Sequence, residues 1–110
     1  HGTSTPMGDP IETSAITQVF GEHAKDMAVT FTKGATGHMM GAGGITEAIA
    51  CIQAIREGIV PPTLNLEHLD EACAPLNYVP EEAQKKEVKA AMSNSFGFGG
   101  QNSSVIFKAY

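Results

Sequence analysis

Tryptophan is absent from this chain, and cysteine occurs only at Cys51 and Cys73. Two cysteines are too few for a disulfide framework, and they share no metal-ligand spacing. That usage fits a reducing, intracellular setting. No apolar run approaches the roughly 20 residues that cross a bilayer, so no membrane segment is expected. Positive charge is scarce: seven Lys and Arg stand against twelve Asp and Glu, for a net charge of −5. The basic residues are scattered, and without a basic face nucleic acid is not the expected partner. The initiator methionine is missing too, since the chain opens at His1 with no signal or targeting segment. The expectation is a polypeptide cut from something longer.

What is present reads as globular. Hydrophobic residues make up 42% and charged residues 17% of the 110 positions, a composition that can bury a core. That length suits one domain. Much of the glycine falls in two clusters, Gly41–Gly44 and Gly97–Gly100, where backbone must turn sharply or approach something closely.

Residues 1–8, HGTSTPMG, form a turn-prone loop. Asp9 offers an N-cap oxygen, Pro10 suits the first helical position, and Glu12 completes a capping-box spacing. Ile11, Ala15, Ile16, Val19 and Phe20 follow as a helical stripe with Gly21 at the exit. Met27–Phe31 reads as a short buried strand. Residues 33–37, KGATG, read as a loop, and a second helix begins near His38. Its stripe of Ile45, Ala48, Ile49, Ile52 and Ile55 ends at Gly58, and Pro61 and Pro62 bar continuation.

From Thr63 to about Lys86 the chain is acidic and proline-interrupted, with room for one helical turn around Glu81–Lys85. Val88–Met92 and Ser104–Lys108 read as an antiparallel pair joined through SNSFGFGGQNS. This order predicts an α/β layered arrangement with an incomplete sheet, half of a domain rather than a whole one.

Three glycine-bearing loops could carry chemistry: residues 1–6, 33–38 and 94–100. His38 at a helix start would stay neutral, because the positive end of the helix dipole disfavours imidazolium. A neutral imidazole can donate a hydrogen bond to a carbonyl gaining negative charge; a capping or core histidine is the alternative. His1 reads as either a solvated loop residue or a catalytic one. His23 and His68 lie in polar surroundings and read as surface residues. Glycines in the first turns of a helix cost roughly 1 kcal/mol each relative to alanine, which close packing against another backbone would offset. Glu47 falls near the apolar stripe, where it is either exposed or paired with Lys33 or an imidazole. Cys51 in mid-helix reads as a small core residue. Cys73, in an acidic loop, would have a raised pKa. Neither looks like an activated nucleophile, and the four histidines have no pair at ligand spacing.

Together the loops resemble the β-ketoacyl-acyl-carrier-protein synthases of the thiolase-like superfamily, of the elongating type II kind with a Cys-His-His site. The resemblance rests on HGTSTP-x-GD at 1–9, TKGATGH-x-x-GAGG-x-x-E at 32–47, PPT-x-NL at 61–66, NYVP at 77–80 and NSFGFGG-x-N at 94–102. It implies that residues 1–110 are the C-terminal part of a thiolase-like α/β/α fold. It also implies that His1 and His38 are the two active-site histidines, which decarboxylate the malonyl extender and stabilise the enolate. Lys33 would be the active-site lysine, and Glu47 the buried glutamate supporting it. Thr3 and Thr5 would hydrogen-bond the phosphopantetheine arm, while Phe98 would gate the site and lend its backbone N–H to the oxyanion hole. The implied reaction is a decarboxylative Claisen condensation in fatty acid elongation. It uses acyl carrier protein as partner and needs no metal or cofactor beyond the phosphopantetheine carrying the substrates.

Two departures accompany the resemblance. The nucleophilic cysteine belongs to the N-terminal half of family members, so this chain alone is expected to condense nothing. Gln101 stands where related sequences often have threonine or histidine. The N-terminal half is therefore an implied partner, and homodimerisation of the parent is implied likewise. The GDPIE run at 8–12 resembles polyketide ketosynthases, whereas TKGATGH and NSFGFGG are closer to the fatty-acid type. A non-catalytic interaction module is a further alternative for the isolated chain.

Overall fold

The computed structural model describes all residues, His1–Tyr110. Helix α1 covers Gly8–Phe20 and leaves through Gly21 at φ 56°, as the glycine exit predicts. Its start differs from the expected capping box. Met7 precedes the helix without a side-chain cap, and Asp9 sits inside the first turn, where its Oδ1 accepts the Ser4 N–H at 3.2 Å. Pro10 is still tolerated there, because first-turn N–H groups have no intrahelical partner. A 3₁₀ turn at Gly21–Asp26 follows.

The expected strand at Met27–Phe31 is reduced to a single parallel bridge, Ala28↔Asn77. The segment is extended but bonds along one side: the Val29 N–H donates to the Asn77 carbonyl at 2.8 Å, and the Phe31 N–H donates to Thr63 Oγ1 at 3.1 Å. One-sided pairing is too sparse for a ladder. Residues 33–36, expected as loop, form the short helix α2, Lys33–Thr36. A 3₁₀ turn at Met40–Ala42 leads into helix α3, Gly43–Glu57, which ends on Gly58 in the left-handed region.

Strand β1, Ile59–Val60, pairs antiparallel with β2, Gln84–Lys85. This pairing takes up the residues where a helical turn around Glu81–Lys85 had been expected. Strands β3, Ala90–Gly97, and β4, Gln101–Lys108, form the expected hairpin in longer form. Register runs from Ala90↔Lys108 to Gly97↔Gln101. Most of the glycine-rich connection is therefore strand, and Phe98, Gly99 and Gly100 alone make the turn. Helix α3 packs on β3.

The core gathers Ile16, Ala24, Val29 and Tyr78, flanked by Phe20, Phe31, Leu66 and Leu76. Phe31 and Tyr78 stack at 5.9 Å between centroids. Only 12 of the 110 residues are buried, so much of both helical stripes faces outward. Ile11 and Val19 on α1, and Ile45, Ile49 and Ile52 on α3, are exposed. The close backbone packing expected for Gly41–Gly44 is not met within the chain: a Cβ at Gly44 would lie 3.8 Å from the Ser95 side-chain oxygen, an ordinary contact, and at Gly41 or Gly43 it would meet nothing within 4 Å.

Candidate active site

The first and second histidine loops meet although 36 residues separate them in sequence. The imidazoles of His1 and His38 stand edge to face, with centroids 5.5 Å apart and planes at 86°. Different devices hold the two rings.

His38 is not at a helix N-terminus: α3 begins at Gly43, and the histidine lies in the link after α2. The helix-dipole argument for its neutrality therefore does not apply. Instead, the Met40 N–H donates to His38 Nδ1 at 3.1 Å. A ring nitrogen that accepts a hydrogen bond carries no proton, so the neutral ring holds its hydrogen on Nε2. That leaves the Nε2–H as the ring's donor. Met40 reaches this geometry at φ 51°, an uncommon region for a side chain of its size, and such outliers concentrate at functional sites.

His1 is held through its main chain. Its nitrogen, the amino terminus of this chain, lies 2.6 Å from Glu12 Oε1. Its carbonyl accepts from Lys33 Nζ at 2.6 Å. Lys33 Nζ also donates to Glu47 Oε1, which decides the open choice at Glu47 in favour of pairing with lysine. The pair is largely withdrawn from water, with side-chain exposures of 8% and 13%. Removing one partner of such a pair strands the other charge, at a cost of about 3–5 kcal/mol. Nδ1 of His1 is buried and has no hydrogen-bond partner.

Phe98 and the threonines are placed differently. Phe98 projects fully exposed from the hairpin tip, and Phe96, two residues earlier on β3, is the ring beside His1, at 5.5 Å. Thr3 is half-buried and Thr5 exposed. Thr5 Oγ1 accepts the Gly8 N–H at 3.0 Å, which shapes the entry into α1.

Sequence reasoning missed the inward role of Glu12. Its carboxylate is 5% exposed and also accepts the Gly2 N–H at 2.9 Å. The available signal was Glu12's position one helical turn before Ile16, on the buried face. A cavity of about 510 Å³ opens beside the site, bounded by His1, Glu12, Glu47, Cys51, Met92 and Asn94 among others. Burial raises the thiol pKa of Cys51, with Glu47 adding to the shift. Cys73 is raised too, first by desolvation and then by Asp70 and Asp9, against a hydrogen bond with Thr13 that lowers it. Neither thiol is activated. His23 and His68 are exposed, and His23 lies 3.8 Å from Asp26. No cluster of three or more His, Cys, Asp or Glu side chains has the geometry to hold a metal ion, and no helix is long and apolar enough to cross a membrane.

Residues 1–67 match the family model described as β-ketoacyl synthase, C-terminal domain. The chain belongs to the β-ketoacyl synthase family. It is 51% identical over 106 residues to 3-oxoacyl-[acyl-carrier-protein] synthase 2 of Coxiella burnetii, covering 96% of this chain and 25% of that relative. It is 52% identical over 110 residues to the synthase 2 of Synechocystis, covering 100% and 26%. The chain thus spans about a quarter of the length of the curated relatives it matches.

Among solved structures, a β-ketoacyl synthase from Burkholderia phymatum aligns at TM-score 0.92 and 43% identity, over 100% of this chain and 26% of that one. The ketosynthase of the AntDE:AntF complex, a type II polyketide ketosynthase with its acyl-carrier protein, aligns at 0.95 and 34%, over 100% and 27%. The fold is therefore the ketosynthase fold, and the incomplete sheet is a portion of it.

Proposed function

We propose that the chain is the C-terminal quarter of a 3-oxoacyl-[acyl-carrier-protein] synthase that carries out decarboxylative Claisen condensation in fatty acid elongation. The observation that carries this reading is the paired imidazoles, with His38 presenting an Nε2–H donor. In the proposed reaction, an acyl group rests as a thioester on a cysteine contributed from outside this chain. Malonyl-carrier protein binds beside the histidines, and its C–C bond to the carboxylate breaks. Carbon dioxide leaves, and the electron pair enters the thioester as an enolate. His38 Nε2–H and the ring of His1 would donate to the thioester oxygen as negative charge develops there. The enolate carbon then attacks the acyl thioester, and the cysteine thiolate departs to give the β-ketoacyl product.

Lys33, paired with Glu47 and bonded to the His1 carbonyl, would set the local field and hold the first histidine. Thr3 and Thr5 would bind the phosphopantetheine arm, and Phe98 on its two-glycine turn would swing as a gate. Acyl carrier protein, the N-terminal part of the same enzyme and a second subunit are the proposed partners. The proposed compartment is the bacterial cytoplasm, and the proposed chemistry requires no metal or further cofactor. A polyketide ketosynthase is the second reading, favoured by the likeness to AntDE at 34% identity. The higher identities to the fatty-acid enzymes, 51% and 52%, support elongation instead.

The test is malonyl-carrier-protein decarboxylation by the full-length enzyme. His1→Ala and His38→Ala are each expected to lower the rate by roughly 10²–10³-fold, the scale of losing one oxyanion donor. Unchanged rates in both variants would overturn the assignment.

A further inference from the structure

We infer that Phe96 is a positioning residue for His1, fixing the plane of that imidazole through ring contact; this rests on the condensing-enzyme reading above. The two histidines differ in what fixes their rings. His38 is held at the ring itself, by the Met40 N–H on its Nδ1. For His1 the hydrogen bonds stop at the main chain: its nitrogen donates to Glu12, and its carbonyl accepts from Lys33. Its ring Nδ1 is buried with no partner. A pinned main chain fixes the Cα but not the plane of the ring, because the torsion between an sp³ carbon and a flat ring has only broad preferences. Neighbouring groups must settle it.

Two rings stand beside it, His38 at 5.5 Å and 86°, and Phe96 at 5.5 Å and 53°. Both separations lie in the range where aromatic pairs favour edge or tilted contact. His38 is committed to the substrate in the proposed reaction, which leaves Phe96 as the neighbour with no chemistry of its own. Its footing suits a wall. Phe96 stands on β3 opposite Asn102, and the ladder continues one pair further, to Gly97↔Gln101. Phe98, two residues on, lies in the turn beyond the ladder and is fully exposed. The two phenylalanines of the SNSFGFGG run therefore divide the work. One ring is carried by a hydrogen-bonded strand against the histidine, and the other by a two-glycine turn that can swing. With its side chain only 16% exposed, His1 has little room to turn while that wall is in place. Phe96 touches no reacting atom in this scheme; it acts on the rate through His1.

Phe96→Leu keeps an apolar side chain on the strand and removes the flat ring. In the full-length synthase, two steps are measured separately: loading of an acyl group onto the cysteine, and decarboxylation of malonyl-carrier protein. Each is followed with and without His1→Ala. With His1 present, we expect Phe96→Leu to lower the kcat of decarboxylation by about 10-fold, the scale of misplacing a catalytic group by a fraction of an ångström. KM and acyl loading should stay at wild-type values. In the His1→Ala background no imidazole is left to orient, so the same change should alter decarboxylation by no more than about 2-fold. A residue that touched the substrate, or served only the fold, would not show that dependence on His1. Unchanged decarboxylation in Phe96→Leu overturns the inference, and so does an equal loss in both backgrounds. A matching fall in acyl loading overturns it as well, because the change would then have reached the Phe98 gate. If Phe96→Leu does not accumulate as folded protein, Phe96→Met is read against the same two backgrounds. A wild-type enzyme that does not decarboxylate malonyl-carrier protein would overturn the functional reading itself; normal wild-type activity lost in His1→Ala but kept in Phe96→Leu overturns only the role of Phe96.

Discussion

His1 and His38 show how two residues of one type are placed by different physics. His38 has its protonation pattern set directly by a main-chain N–H, whereas His1 depends on carboxylate and ammonium groups gripping the peptide units around it. Asp9, near the same loop, has a carboxyl pKa raised mainly by desolvation, against the Ser4 N–H that lowers it. An acid with a folded pKa above its unfolded one binds its proton more tightly when folded. Stability from this group is therefore present at low pH and falls as pH rises through the raised value. Asp9→Asn keeps an oxygen for Ser4 and removes the charge, so it should raise the melting temperature of the full-length enzyme at pH 7. The gain should vanish below about pH 4, where an ordinary aspartate is itself protonated. Melting curves at both pH values check this, and a gain that persists in acid would contradict it.

At the scale of elements, the hairpin tip is the segment where backbone conformation restricts the sequence most openly. Gly99 and Gly100 take φ of 84° and 78°, and a Cβ on either would meet nothing within 4 Å. Replacing Gly99 by alanine thus costs only the left-handed strain, about 1–2 kcal/mol. The expected outcome in the full-length enzyme is a modest drop in melting temperature, with the β3–β4 register intact by backbone amide exchange. If Phe98 gates the site, the same change should slow turnover more than it affects stability. The helices teach a related lesson. Their exits at Gly21 and Gly58 are where local signals put them, because a left-handed terminal residue is a local requirement. Their starts are not: Met7 and Ala42 precede them without side-chain caps, and at α1 the first N–H goes instead to Thr5 Oγ1 in the preceding loop.

For the whole molecule, the decisive feature is the apolar surface that the chain leaves open. Ile45, Ile49 and Ile52 line one side of α3 at exposures of 64%, 53% and 41%. Ile49→Ala is expected to destabilise the full-length enzyme by about 2 kcal/mol or more, as core Ile→Ala changes do. A loss within about 0.5 kcal/mol would be that of an ordinary surface site, and would show that the rest of the protein does not cover this face. Chemical denaturation of the full-length enzyme distinguishes the two.

The sequence by itself determined the features that act over a few residues: the glycine exits of both helices, the antiparallel terminal hairpin, the inert character of both cysteines, and the loops that carry the family motifs. Tertiary structure alone decided the rest. It brought His1 within 5.5 Å of His38, turned Glu12 from an expected cap into a buried clamp, and chose Lys33 as the partner of Glu47. It also reduced Met27–Phe31 from a strand to a single bridge and put Phe96 beside the first histidine. The physical reason is range. Caps, turns and periodicity are settled by neighbours in sequence, while hydrogen-bond partners, ladder length and ring contacts depend on which distant segments the chain brings back into place.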